Sequence, residues 1–166
     1  MKAITLKQPW AHAMFDLELD LEIDAYRKNV ENRTWRTDYR GPLAIVAGLQ
    51  LDHAGLAIAR VAYPDELEYG CIVGVVDLTD VHEQGSASCD QSGTCKPVVL
   101  GGWAEFSPTW MKPRQHWILT DARPVPDGLR FLYTGFLGIR DLGESIAASL
   151  MQALDDGDAL ARAEAE

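Results

Sequence analysis

The chain has 166 residues, of which 47% are hydrophobic and 24% charged, as is typical of a single globular domain with its own core. Its net charge is −10, which argues against a protein that coats long nucleic acids by neutralising their phosphates. No apolar run approaches the roughly 20 residues of a membrane helix, and the N-terminus does not resemble a secretory signal peptide.

The first elements are predicted to be a strand, a helix and an acidic ribbon. Residues 2–7 (KAITLK) are rich in strand formers. Pro9 suits the first turn of a helix, and apolar residues at helical spacing predict a helix over 9–17. Residues 16–24 alternate acidic and aliphatic residues, which indicates a solvated extended ribbon or a negatively charged screen beside the next segment.

The middle of the chain predicts two strands around a helix. The nearly continuous apolar run at 41–48 is typical of a buried strand. Asp52 can cap a helix over 52–63. Residues 70–83 form the strongest strand pattern in the chain.

The C-terminal half predicts short strands and one more helix. Residues 84–102 have the composition of a loop, and 116–126 are a strand that ends in proline turns. Residues 129–142 indicate one or two short strands, and 144–156 a weakly amphipathic helix, with the last ten residues frayed. These elements predict an α+β fold: a small, mostly antiparallel β-barrel with flanking helices.

The segment 26–40 differs in charge from the rest of the chain. It holds five basic and two acidic residues, a local charge of +3, so the remaining residues sum to −13. A local positive site on an acidic body suits a small anionic or base-like ligand, or a short stretch of nucleic acid. The basic residues are Arg27, Lys28, Arg33, Arg36 and Arg40.

A series of motifs resembles the ASCH (activating-signal-cointegrator homology) domain over about residues 3–139. They are LKQPWA, then K-x-x-E-x-R at Lys28, Glu31 and Arg33, then YRGPLAI, CIVGVVDL, HWILTDARP and a final GFLG. The resemblance implies a fold like that of PUA domains, which bind modified RNA. We therefore place an ASCH domain at 1–142, followed by a C-terminal helix and acidic tail at 143–166.

The resemblance also implies a cleft that faces RNA, a nucleotide or a modified base. One branch similar to this fold hydrolyses N4-acylated cytidines with the motif lysine, a threonine and a further glutamate, and RNA cleavage has been attached to other members. This chain departs from the pattern. Glu31 stands at the place of the threonine, Tyr26 replaces the usual glycine, and Val46 stands where histidine is frequent. The amidohydrolase chemistry therefore does not simply carry over.

Lys28 and Glu31 are the candidate catalytic residues. At a spacing of three they face each other only if the segment is helical or tightly turned. A lysine acts as base or nucleophile when it is partly neutral, which burial or nearby positive charge favours and a paired glutamate opposes. The alternative is a surface ion pair worth about 0–1 kcal/mol.

Trp10, Trp35 and Tyr39 are candidate stacking platforms for a base, at about 1–3 kcal/mol per stacked base. Arg33 and Arg36 can hold a phosphate or a carbonyl through two parallel hydrogen bonds. The alternative for both tryptophans is a place in the core.

His116 is a candidate ligand contact or acid/base, with a backbone-bonded strand histidine as the alternative. Arg40 can contact the ligand or only brace its turn. Three further histidines have no evident partner in the sequence: His12, His53 and His82.

The sequence predicts no metal or cofactor. Cys89 and Cys95 are spaced C-x5-C, which is not a standard zinc spacing, and no second pair exists. Glycine-rich phosphate loops and the G-x-S-x-G motif are missing. Three cysteines, an odd number, favour a reducing, cytoplasmic location.

Three functions remain open. The leading hypothesis is a binder of RNA, single-stranded nucleic acid or a modified nucleoside. The second is an amidohydrolase on N4-acylated cytidine-type nucleosides, or a ribonuclease, that uses Lys28 and Glu31. The third is a protein-interaction module that is indifferent to nucleic acid.

Overall fold

The computed structural model describes residues 1–15, 28–59, 64–86, 115–126, 128–129 and 131–164. These residues form seven strands, two α-helices and two short 3₁₀ turns, which confirms the α+β class. The strands are β1 (Lys2–Gln8), β2 (Val30–Arg33), β3 (Gly41–Leu51), β4 (Cys71–Glu83), β5 (Gln115–Pro124), β6 (Phe131–Leu132) and β7 (Ile139–Asp141). The helices are α1 (His53–Ile58) and α2 (Glu144–Glu164), and the 3₁₀ turns are His12–Met14 and Pro64–Glu66.

The strands belong to one mixed sheet with the order β2-β5-β4-β3-β1-β7, and β6 pairs with β4. The pairs β1–β7, β2–β5 and β4–β6 are antiparallel, whereas β1 and β3 run parallel. A parallel pair needs a connection of a dozen or more residues, and the 9–40 segment supplies it. Within the described residues the order runs from β2 to β7, so the sheet is mixed and not strongly closed.

The chain divides into two compact units. The first unit comprises Met1–Phe15, Pro42–Val76 and Ala122–Glu166, and the second comprises Asp16–Gly41 and Asp77–Asp121. The core of the first unit is aliphatic and includes two leucines of α2. Its buried members are Ala3, Ala44, Val46, Ile72, Val75, Leu142, Leu150 and Leu154.

The C-terminal helix α2 continues to Glu164, past the predicted end at residue 156. The added segment is rich in alanine, the best helix former, which explains the extension. Arg123 also holds this part of the helix, since its Nη2 contacts Asp155 at 2.8 Å and Asp158 at 2.9 Å. The division at 142/143 between a domain and a tail stays a prediction.

Within residues 9–15, the segment after β1 forms a 3₁₀ turn at His12–Met14 instead of the α-helix predicted for 9–17, whose last two residues lie outside the described part of the chain. The amides of Met14 and Phe15 bond to the carbonyls of Ala11 and His12, three residues earlier, which closes a 3₁₀ turn. The amide of His12 donates to Oε1 of the buried Gln8 side chain at 3.1 Å, so a side chain satisfies the start of this turn.

The predicted strands agree well with the structure, whereas the helix predicted for 52–63 ends at Ile58, and residues 60–63 lie outside the described part of the chain. The strands predicted at 2–7, 41–48, 70–83 and 116–126 correspond to β1, β3, β4 and β5. The side chain of Asp52 accepts from the Gly55 amide at 3.2 Å, which confirms it as the cap of α1. The acidic ribbon at 16–24 lies outside the described residues, as does most of the predicted loop at 84–102. Neither helix of the described chain combines the length and apolar character that crossing a membrane requires.

Candidate functional site: the charged face of the β2–β5 ladder

The basic segment contributes its central strand, β2, to an antiparallel ladder with β5. Residues that pair directly across antiparallel strands share a face of the sheet, and neighbours along a strand alternate between faces. One face therefore carries two pairs: Glu31 with Trp117, and Arg33 with Gln115. The other face carries Val30 with Ile118 and Asn32 with His116.

Lys28, Glu31 and Arg33 form a charge cluster on this ladder. The Lys28 Nζ donates to Glu31 Oε2 at 2.5 Å and to the Val30 carbonyl at 2.7 Å. The other oxygen of Glu31 lies 3.1 Å from Arg33 Nε. The three side chains are only 5%, 13% and 21% exposed, in that order. The surface ion pair considered from the sequence is therefore wrong.

The expectation that Lys28 and Glu31 need a helix or tight turn to meet is also wrong. Glu31 lies within β2, and Lys28 precedes that strand in irregular backbone. The long lysine side chain reaches forward to both Glu31 and the Val30 carbonyl, so the side chain spans the distance that a helical turn would otherwise close.

The charge cluster shifts the pKa of both partners. Burial lowers the pKa of Lys28, and Arg33 adds to this effect, whereas the attraction of Glu31 works against it. Burial alone would raise the pKa of Glu31. The positive charges of Lys28 and Arg33 and the hydrogen bond from Lys28 outweigh burial and hold that pKa below its usual value.

Two tryptophans adjoin the charge cluster. Trp117 on β5 is fully buried, and Trp35, two residues after β2, is half-buried. Their ring centroids are 4.7 Å apart with planes at 87°, and the Trp117 Nε1 donates to the Trp35 carbonyl at 3.4 Å. Trp117 therefore fixes the orientation of an indole that remains partly open to solvent.

Buried Gln115 completes this face opposite Arg33. Its side-chain oxygen has no hydrogen-bond partner among the described residues. A buried acceptor without a partner costs about 1–3 kcal/mol. Neither Gln115 nor Trp117 was singled out from the sequence. The alternation Gln115, Trp117, Leu119 in a predicted strand was the signal that could have placed both on one face.

The loop from 34 to 40 is held by its own polar groups. The Arg40 Nη1 donates to the carbonyls of Thr37 and Tyr39 at 3.1 and 2.7 Å, which confirms that Arg40 braces the turn. The Tyr39 amide donates to the Thr37 hydroxyl at 3.2 Å. Tyr39 is half-buried, and Arg36 is exposed on the same loop.

His116 lies on the opposite face of the ladder and is almost fully buried. Its ring packs edge-on against His82 at 5.6 Å, and His82 Nδ1 lies 2.6 Å from Asp80 Oδ2. Burial alone would raise the pKa of Asp80, but hydrogen bonds from His82 and the Val81 amide and the nearby charge of Arg40 hold it low. His82 thus has a partner, which its spacing of two from Asp80 in a strand could have indicated.

Trp10 belongs to the first unit, whereas the residues of the charge cluster belong to the second. Its Nε1 donates to Asp52 Oδ2 at 3.0 Å, and its indole covers Gly55 so closely that a Cβ there would overlap the ring. Trp10 is half-buried. Its exposure is therefore intermediate between the two alternatives considered from the sequence, a core residue and an open stacking platform.

The charge cluster, Trp35 and Gln115 can together hold a planar polar ligand. The fixed indole offers a stacking face, the guanidinium offers planar donors, and the amide oxygen offers an acceptor. Within the described ranges, no three His, Cys, Asp or Glu side chains converge to hold a metal ion. Cys89 and Cys95 lie outside those ranges.

The fold is similar to that of solved ASCH proteins. No protein-family model and no curated protein sequence matches the chain. The crystal structure of the ASCH protein of Zymomonas mobilis matches 91% of this chain and 93% of its own, with a TM-score of 0.51 and 14% identity. A tyrosine-to-phenylalanine mutant of that protein matches 91% of this chain and 96% of its own, with a TM-score of 0.51 and 13% identity. The likeness spans most of both chains, so this protein has the fold of an ASCH domain.

Proposed function

We propose that this protein binds a nucleobase, in a modified nucleoside or in single-stranded RNA, on the charged face of the β2–β5 ladder. The observation that carries the proposal is the Arg33–Gln115 pair. Arg33, which carries a guanidinium, pairs across the ladder with Gln115, whose buried amide oxygen has no hydrogen-bond partner among the described residues. A base edge with both acceptors and donors would satisfy such a pair, and its donor would recover the cost of the buried oxygen.

Trp35 would supply the stacking energy. Its ring is held edge-to-face by Trp117 and keeps part of its surface open. Little conformational freedom is lost when a base stacks on a ring whose orientation is already fixed. Each stacked base contributes about 1–3 kcal/mol, or about 5- to 150-fold in affinity.

Glu31 would act as a positioning residue. Its two oxygens contact Lys28 and Arg33, so it neutralises part of their charge and fixes the guanidinium. The bound group is therefore expected to be a neutral base edge, while exposed Arg36 on the adjoining loop is available to a phosphate.

Binding to short single-stranded RNA and to N4-acetylcytidine tests this proposal. We expect Trp35→Leu to weaken binding by about 5- to 150-fold, and Gln115→Leu to weaken it for bases that present an amino or amide N–H. Fluorescence titration of the wild type and each variant measures these effects. Arg140→Gln, which changes an arginine of the first unit, is the matched control and should bind as the wild type does.

Equal affinity of the wild type and Trp35→Leu, with both proteins folded by circular dichroism, would contradict the proposal. So would saturable binding that Arg140→Gln removes while Trp35→Leu leaves it unchanged, since the binding surface would then lie elsewhere.

The second candidate function is hydrolysis of an N4-acylated cytidine-type nucleoside. The observation that favours it is the lowered pKa of Lys28, because burial increases the share of neutral amine that can accept a proton from water. In this reaction water adds to the acyl carbonyl, the C–N bond breaks, and the amine leaves with one proton. The short contact with Glu31 opposes this role, since it favours the ammonium form.

Measurement of substrate turnover distinguishes a base-binding protein from a hydrolase. The purified wild type and Lys28→Met are incubated with N4-acetylcytidine and with RNA, and products are followed by chromatography. Cytidine formed by the wild type alone would establish the amidohydrolase. Cleaved RNA that depends on Lys28 would point to a ribonuclease, and unchanged substrates with saturable binding would leave a binding protein.

A further inference from the structure

Three leucines of the first unit are unusually exposed. Leu49, Leu132 and Leu137 are 82%, 77% and 92% accessible to solvent. Single exposed apolar residues are common on protein surfaces, but apolar residues that adjoin one another mark an interaction site.

Backbone contacts bring these leucines to one surface. Leu132 pairs with Cys71 in the β4–β6 ladder, and the amide of the next residue, Tyr133, donates to the Gly70 carbonyl at 3.0 Å. The side chain of Leu49 lies over that same Gly70, since a Cβ there would meet Leu49 Cδ2 at 3.4 Å. Leu49 and Leu132 are therefore neighbours across Gly70 although they are far apart in sequence.

The segment that follows Tyr133 passes over β1 and β3. The Phe136 amide donates to the Thr5 hydroxyl of β1 at 3.0 Å. A Cβ on Gly135 would lie 3.1 Å from Thr5 Cγ2 and 4.0 Å from the Gly48 Cα, so the chain passes directly over both strands. Leu137 follows at once and extends into solvent beside the same strands.

A groove of about 440 Å³ lies along this segment, within the size range of ligand sites. We name it the leucine groove; its lining residues are Leu132, Tyr133, Thr134, Gly135, Phe136 and Arg140. Tyr133 and Phe136 pack edge-to-face at 6.0 Å, and the guanidinium of Arg140 lies 5.1 Å from the centre of the Phe136 ring. The guanidinium stacked over the ring is the single charged group among these lining residues.

We propose that the leucine groove docks a segment of a partner protein that combines aliphatic side chains with a carboxylate. The aliphatic side chains would cover Leu132 in the groove and the exposed Leu137 next to Phe136, and exclude water from both. The carboxylate would bind the stacked guanidinium of Arg140, whose planar donors match a carboxylate through two parallel hydrogen bonds. The positive groove on a chain of net charge −10 favours an acidic partner at this one place.

Nucleic acid fits the leucine groove poorly. The Arg140 guanidinium already lies over the Phe136 ring, and one arginine next to the acidic Asp141 offers little neutralisation of phosphates. A second copy of the chain is also disfavoured, since two bodies of charge −10 repel each other. The experiment distinguishes nucleic acid and a second copy of the chain from an acidic peptide.

The test uses a defined probe, the peptide acetyl-Leu-Glu-Leu-Asp-Leu-amide, titrated into isotope-labelled full-length protein and followed by NMR. We expect shifts concentrated at residues 131–140 and weaker binding, by about tenfold or more, for Leu132→Ser, which changes a lining residue of the groove. Arg140→Glu should lose the acidic peptide and bind acetyl-Leu-Lys-Leu-Lys-Leu-amide better than the wild type does, a reversal that a folding defect cannot produce.

Leu129→Ser is the matched control, since it removes a leucine that is 46% exposed and does not line the leucine groove. The proposal is overturned by peptide shifts elsewhere, by equal affinity of Leu132→Ser and Leu129→Ser, or by the absence of a charge preference. Self-association lost in Leu132→Ser would overturn it in favour of a second copy, and RNA shifts at 131–140 in favour of nucleic acid. None of these results depends on Trp35. The failure of this proposal can therefore be distinguished from the failure of the proposed base-binding face.

Discussion

The interiors of the two units differ in chemistry. The first unit packs aliphatic side chains from three strands and α2 around one core. Among the described residues, four of the five buried polar or charged side chains belong to the second unit, namely Lys28, His82, Gln115 and His116. Each requires a partner in a low-dielectric setting, whereas the leucines of the first unit require only good packing.

The two interiors therefore have different roles. The interior of the first unit provides stability, and the charge cluster of the second unit provides recognition. Burial of apolar area stabilises the first unit without any directional requirement. The charge cluster of the second unit contributes little net stability compared with apolar residues of the same volume, but it fixes the direction of donors and acceptors. The two interiors should therefore respond differently to substitution and to pH.

The largest expected effect comes from Glu31→Gln. Removal of one charge from a buried pair costs about 3–5 kcal/mol of unfolding free energy at neutral pH. The pKa of Glu31 lies below its ordinary value of 4.5 in the folded protein. Its ionised form therefore stabilises the fold above that value, and this contribution is lost as the pH falls through the lowered pKa. Urea unfolding of both proteins at pH 7 and pH 3 measures the change.

Lys28→Met is the companion of that substitution. It replaces the lysine by an apolar side chain of similar length and leaves Glu31 paired with Arg33 at 3.1 Å, so its cost should be the smaller of the two. A Glu31→Gln penalty that is as large at pH 3 as at pH 7 would show that packing, and not charge, explains the role of Glu31.

Leu150→Ala should cost about 2–5 kcal/mol through lost burial and the cavity that remains. Leu150 is fully buried in the core of the first unit and carries no titrating group. Its penalty should therefore be the same at pH 7 and pH 3, unlike that of Glu31→Gln. If the loss of unfolding free energy in Leu150→Ala depended strongly on pH, the proposed difference between the two interiors would be wrong.

A smaller effect is expected from Gly157→Ala in α2. Alanine is the better helix former by about 1 kcal/mol, but its Cβ would lie 2.6 Å from Pro126 Cγ. Overpacking costs about 1–3 kcal/mol, so we expect a net loss of thermal stability by calorimetry. Gly143→Ala is the control because nothing lies within 4 Å of its added Cβ. A stabilising Gly157→Ala would show that α2 can move away from Pro126.

Much of the sheet could be predicted from the sequence because its strands have strong local patterns. The apolar runs of β3 and β4 and the Asp52 cap each depend on neighbouring residues alone. The parallel pairing of β1 with β3 could not be derived in the same way, since it joins strands whose connection spans residues 9–40. The end of α2 was missed because its alanines carry no periodic pattern.

The candidate site was predicted in part. The spacing of Lys28, Glu31 and Arg33 marked the right segment, but burial of the cluster depends on β5, more than 80 residues away. Gln115 and Trp117 enter the site only through that pairing. The separation of His116 from the charged face also depends on the β2–β5 register, in which a shift of one residue would exchange the two faces.

The position of β1 in the sheet has a kinetic consequence. Lys2 pairs with Leu43 on one side and with Asp141 on the other, so β1 joins partners that are 41 and 139 residues away. Pairings of such long range require the closure of large loops before they gain any stabilisation. Refolding of the first unit should therefore be slow for its size, in the range of milliseconds to seconds typical of non-local topologies.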